Sequence, residues 1–136
     1  MISITQACMG QLIEFAQEGF PHEVVGILAG NRDRNTVTKI TTLHNERGDT
    51  NNRYKVSALT LMKAETALED DGLEIVGYYH SHPNHSAHYS EYDRDHALPN
   101  MSYLILSIQN GVFTEALSWR LLENRSEMES EHITYI

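Results

Sequence analysis

Residues 80–93 read HSHPNHSAHYSEYD and hold four of the chain's eight histidines. His80 and His82 stand one residue apart at the end of an apolar run, LEIVGYYHSH over 73–82. Side chains along a strand alternate with a period of two, so both imidazoles point to one face and can share one ion, while Ser81 points to the other. Pro83 cannot continue the ladder and closes the strand. A catalytic zinc commonly takes three protein ligands and a water, and a carboxylate is a frequent third. Asp93 opens a short helix behind Ser90, and the residues between it and His82 are enough to loop back over a strand end. A His80, His82, Asp93 set would leave the fourth position for a water that zinc acidifies towards neutrality.

Each feature alone has a plainer reading. An H-x-H pair is usually two solvated polar residues. Ser90 with Asp93 also spells a helix capping box, although Glu or Gln is the preferred partner. His85, His88 and His96 lack ligand spacing and read as loop or rim residues, and Glu23 alone reads as a solvated loop acid. Gly26 and Gly30 suit close strand packing and a turn. Trp119, Tyr78, Tyr79 and Tyr103 read as core or rim packing, and the sequence has no Gly-rich phosphate loop and no Ser-His-Asp arrangement.

The elements that must position these residues follow from periodicity. Ile4, Cys8, Leu12 and Phe15 mark a first helix, with Ser3 and Gln6 as a capping box and Gly19 as its stop. VVGILAG (24–30) is a strand that pairs as a hairpin with the β-branched, alternating TVTKITTLHNE (36–46). RGDTNN is a loop, RYKVS (53–57) a short strand, and LTLMKAETALEDDG (59–72) a helix ending at Gly72. The histidine-bearing strand follows, then the short helix SEYDRDHAL. YLILSIQ and FTEALSWRLL are strands joined by the Asn110-Gly111 turn, and EHITYI is a last strand. The order predicts one mixed α/β domain over 1–136, a sheet flanked by helices.

Composition narrows the function classes. A chain of 136 residues fits one domain. The net charge of −9, from 10 basic and 19 acidic residues, argues against nucleic-acid or anionic-membrane partners, which need a basic face. Cys8 is the single cysteine, which excludes an intramolecular disulfide and a thiolate zinc site; its neighbours suggest a buried small hydrophobe. MISITQACMG lacks the basic and apolar regions of a signal peptide, and no 18-residue apolar run occurs, so a cytoplasmic location is expected.

Taken together the spacings are specific. HSHP, then NHSAHY, then Ser90, two residues and Asp93 resembles the H-[S/T]-H-P-x6-S-x2-D motif of the JAMM/MPN metallopeptidases. PHEVVGILAG resembles the family's second element, P-x-E-x-x-G-x-L-x-G. The resemblance implies an MPN-like fold with one zinc held by His80, His82 and Asp93. It implies Glu23 as the base that moves a proton from the attacking water to the leaving amine, and Ser90 as the hydroxyl that binds the oxyanion.

The stretch from Gly77 to Ile108 is most similar to short stand-alone bacterial members. These are associated with ubiquitin-like sulfur-carrier proteins, one branch removing cysteine built onto the carrier's C-terminus. The implied partner is therefore a carrier ending in Gly-Gly, cleaved after that tail to release cysteine or another amine. An exposed sheet edge could hold the tail by added-strand pairing. The RadC-like branch, with its H-N-H-P motif, fits less well. The competing class is a non-catalytic MPN docking module for a ubiquitin-like partner.

Overall fold

The computed structural model describes residues 1–44 and 56–136. Within them the chain forms β1 (Ile2–Ile4), α1 (Gln6–Gly19), β2 (Val25–Asn31), β3 (Thr36–Leu43), α2 (Ala58–Asp70), β4 (Glu74–Pro83), α3 (Glu91–His96), β5 (Ser102–Gln109), β6 (Val112–Leu121), β7 (Met128–Glu131) and β8 (Ile133–Tyr135). The strands make one sheet in the order β7-β6-β5-β4-β2-β3-β1-β8. Its two outermost strands are separated in sequence by His132 alone, whose carbonyl accepts from Ile2 N–H at 2.9 Å. The sheet must therefore curl until its ends come together.

The centre of the sheet is β4. It runs antiparallel to β2, with His80 opposite Val25, and parallel to β5, with His80 opposite Ile105. Both β4 and β5 are covered on both faces, which is why their sequences read as near-continuous apolar runs. On one face α1 packs Cys8, Met9, Leu12 and Ala16 against Tyr79, Leu104 and Leu106. On the other, Leu68 of α2 covers Ile27 and Ala29, while Ala87, Tyr103, Ile105 and Trp119 form a second cluster beside α3.

The mixed α/β sheet flanked by helices matches the expected class, and the β2–β3 hairpin, α2 and the β5–β6 hairpin lie where periodicity put them. The start of α1 does not. Ser3 lies in β1, extended by parallel pairing with β3 and β8, and the helix is capped by Thr5, whose hydroxyl accepts from Cys8 N–H at 3.1 Å. The expected last strand, EHITYI, is present as β8, and an unforeseen short strand, β7, precedes it and pairs with β6 at the opposite end of the sheet. Residues 47–52 and 53–55 of the expected loop and strand lie outside the described residues, and Ser57 caps α2. The strand bearing the histidines is internal, flanked by β2 and β5, so the sheet's outermost strands cannot offer an edge beside them.

Candidate active site

His80 and His82 end up on one face of β4, as alternation requires, with their Nε2 atoms 3.3 Å apart. Asp93 meets both: its Oδ1 lies 3.1 Å from His80 Nε2 and its Oδ2 3.2 Å from His82 Nε2. From the other side Glu23, in the turn before β2, brings Oε1 to 4.0 Å from His80 Nε2. All four side chains are buried. Counting one ligand atom each, Glu23, His80 and His82 lie within 4.8 Å of one another and can hold a metal ion; Asp93 approaches both histidines more closely than Glu23 approaches His80.

Asp93 is held by the capping box. Ser90 Oγ accepts from Asp93 N–H at 3.1 Å, and Ser90 N–H donates to Asp93 Oδ2 at 2.9 Å. The oxygen that caps the helix is also the one facing His82. Ser90 is exposed, and accepting at Oγ uses a lone pair, which leaves the hydroxyl proton able to donate elsewhere. The structural and the chemical readings of this serine are therefore compatible.

A backbone carbonyl fixes the chemistry of His82. Ser86 O lies 2.8 Å from His82 Nδ1, and a carbonyl only accepts, so Nδ1 carries the proton. In the neutral ring Nε2 is then a lone pair aimed at Asp93 Oδ2 and at His80 Nε2. Lone pairs converging at these distances repel unless a proton or a cation sits among them. Two imidazoles and a carboxylate form the mixed N/O donor set that zinc and similar divalent ions take, and the backbone hydrogen bond to the far ring nitrogen is the usual support of a metal-binding histidine. The residues fit the metal.

The electrostatics point the same way. Burial raises the Asp93 carboxyl, but the charge of His80, with hydrogen bonds from His80 and Ser90, outweighs it and holds Asp93 well below the usual carboxylate range. Burial, and after it the charge of Asp93, push the Glu23 carboxyl up to about 9. With only its own side chains the cluster thus divides its two acids into one ionised and one protonated; a divalent ion would draw Glu23 back towards its charged form.

The loop between His82 and Ser90 is tied down carbonyl by carbonyl. His85 O accepts from Ser107 Oγ at 2.5 Å and from Gln109 Nε2 at 3.0 Å, Ser86 O accepts from His82, and Ala87 O accepts from Trp119 Nε1 at 2.9 Å. Sequence reasoning missed these roles for Ser107, Gln109 and Trp119; the signal available was a serine inside the apolar run YLILSIQ. His85, His88 and His96 are exposed, and Tyr79, Tyr103 and Trp119 are buried, each as read. Two open depressions flank the cluster, one of about 540 Å³ lined by His82, Tyr89 and Ser90 and one of about 590 Å³ lined by Phe15, Glu23 and Leu43.

Fold and cluster together define a protein of the JAMM/MPN class. The family model described as prokaryotic homologs of the JAB domain matches residues 5–122, and the chain belongs to that family. It is 32% identical over 111 residues to a desampylase of Haloferax volcanii, covering 78% of this chain and 80% of that protein. It is 36% identical over 85 residues to a probable TtuB-protein conjugate cleaving protease of Thermus thermophilus, covering 62% of this chain and 55% of the relative. Its fold is similar to that of a JAB1/MPN domain protein from Archaeoglobus fulgidus, with a TM-score of 0.63, 14% identity, and 99% and 97% of the two chains covered. Among the described residues no helix is long and apolar enough to cross a membrane.

Proposed function

We propose that the protein is a zinc-dependent isopeptidase, folded as one domain over 1–136, that hydrolyses the amide joining the C-terminal Gly-Gly of a ubiquitin-like sulfur-carrier protein to an amine. The observation that carries this is the convergence of His80 and His82 Nε2 on Asp93, with the His82 lone pair turned inward by the Ser86 carbonyl. The family and the conjugate-cleaving names of the two relatives support the reaction class.

A zinc ion bound there would acidify a water and polarise the scissile carbonyl. His80, His82 and Asp93 hold that ion, and Ser86 O and the capping box keep the ligands oriented. Glu23, buried beside the histidines without standing among the three ligands, takes a proton from the attacking water and returns it to the leaving nitrogen. The Ser90 hydroxyl donates to the carbonyl oxygen as it gains charge. Depressions on both the Glu23 and the Ser90 sides give room for substrate on either side of the scissile bond. Glycines next to that bond let the backbone come close to buried ligands.

The test incubates the zinc-loaded protein with a Gly-Gly-ending carrier joined to a lysine-bearing protein and, separately, to cysteine, and follows the carrier's mass. Release of the carrier, abolished by chelator and by Glu23→Gln, is expected. Tight binding with unchanged mass would instead make the protein a docking module.

A further inference from the structure

The reaction assigned to this site needs Glu23 held at a set height over the histidine pair, yet Glu23 lies outside every helix and strand, two residues before β2 begins. The backbone around it is fixed by Ser81, the residue between the two histidines. Ser81 has no exposed surface and points to the α1 side of the sheet, in register with Leu106 and next to Tyr79 and Pro83. A hydroxyl in such a place is costly without a partner, and an alanine there would suit the apolar surroundings better. Two of its polar atoms meet one residue: Ser81 Oγ accepts from Val24 N–H at 2.9 Å and Ser81 N–H donates to Val24 O at 3.0 Å.

The β2–β4 ladder ends at the pair Val25 and His80, so Val24 and Ser81 are one step beyond it. In a regular antiparallel pair the Val24 N–H would go to the Ser81 carbonyl. Here the side chain takes it, and the pairing gains one more clamped residue immediately next to Glu23. Val24 is held from behind as well: a Cβ at Gly19 would lie 2.3 Å from Val24 Cγ1, so α1 approaches this residue as closely as a glycine permits.

We infer that Ser81 is a positioning residue for Glu23: through Val24 it couples the strand carrying the metal-binding histidines to the turn carrying the proton-transfer group. The inference rests on the proposed isopeptidase reading for its kinetic consequence, and on geometry alone for its structural one. Ser81→Ala removes the acceptor and leaves the metal-binding face of β4 as it is. Displacing a catalytic group by an ångström costs up to roughly 10²-fold in rate, so kcat is expected to fall roughly 10- to 100-fold with KM and bound zinc unchanged. Ser81→Thr, which keeps the hydroxyl and suits a strand, is expected to restore most of the rate.

The deciding experiment is a double-mutant cycle with Glu23→Gln, joined to amide hydrogen exchange on the metal-free protein. If Ser81 acts through Glu23, Ser81→Ala costs nothing further in the Glu23→Gln background, and exchange at Val24 N–H accelerates while β5 amides stay protected. Equal losses of rate in both backgrounds, loss of zinc, or failure of Ser81→Ala to fold would each reduce the hydroxyl to a structural role and overturn the proposal. Unchanged exchange at Val24 would overturn it too, whether or not the wild-type protein cleaves a conjugate. A wild type that cleaves nothing, with Val24 exchange accelerated by Ser81→Ala, would sink the isopeptidase reading and leave the clamp standing.

Discussion

At His82 the decisive atom lies outside the cluster, in the Ser86 carbonyl that settles which ring nitrogen is protonated. His82→Ala is therefore expected to abolish metal binding, whereas His85→Ala and His88→Ala, on exposed rings, leave one zinc per chain by elemental analysis. Glu23→Gln keeps the metal but should lose about 10²- to 10⁴-fold in turnover, the usual contribution of a proton-transfer group; wild-type rates would require another base. Ser90 does two jobs that substitution can separate. Glycine at a helix N-cap costs only a few tenths of a kcal/mol, while alanine costs about 0.5–2. Ser90→Gly should thus unfold near the wild-type temperature yet turn over roughly 10²- to 10³-fold more slowly, the cost of a lost oxyanion donor. Equal turnover in Ser90→Gly and wild type would confine the serine to capping.

Elements were legible where their pattern is local. The β2–β3 and β5–β6 hairpins announce themselves by alternation and by Asn110-Gly111, whose φ angles of 52° and 84° suit a tight hairpin turn. The three-residue β1 carries no period of its own and exists through distant pairing with β3 and β8. That is why Ser3 read as a helix cap. The site divides along the same line: His80 and His82 follow from strand alternation, whereas the proximity of Glu23 to them depends on β2 lying against β4. Gly26 shows what that contact demands. A Cβ there would lie 2.3 Å from Thr41 O and 2.4 Å from the Tyr79 ring. Gly26→Ala is expected to destabilise by at least about 1–3 kcal/mol, the range for overpacked cores, read from the urea midpoint. Adding Tyr79→Leu should recover only part of the loss, because the Thr41 carbonyl belongs to the β2–β3 ladder and cannot move aside.

At the scale of the whole molecule, a chain with an excess of nine negative charges buries two of its carboxyls, Glu23 and Asp93, in one site. Net repulsion already disfavours the compact state as acids ionise, and Glu23 adds a local contribution of known sign. Its carboxyl is raised from 4.5 to about 9 in the folded protein, chiefly by burial. The metal-free native state then holds a proton that the unfolded chain has released, so stability falls as pH rises between those two values. Asp93, held well below the usual range, acts oppositely and only at acid pH, since its stabilisation is present above its unfolded pKa and is lost as pH drops. Metal-free protein is accordingly expected to unfold at lower temperature at pH 8 than at pH 6. Glu23→Gln, which has no proton to lose, should flatten the difference without removing the part that comes from net charge. Saturating zinc should flatten it as well, because a cation at the histidines favours the ionised carboxylate and itself stabilises the folded state in proportion to the logarithm of its concentration over Kd. Thermal melts of wild type and Glu23→Gln, with chelator and with zinc, across this pH window make the comparison. A pH dependence identical in the two metal-free proteins would mean that Glu23 does not carry its proton into the folded state.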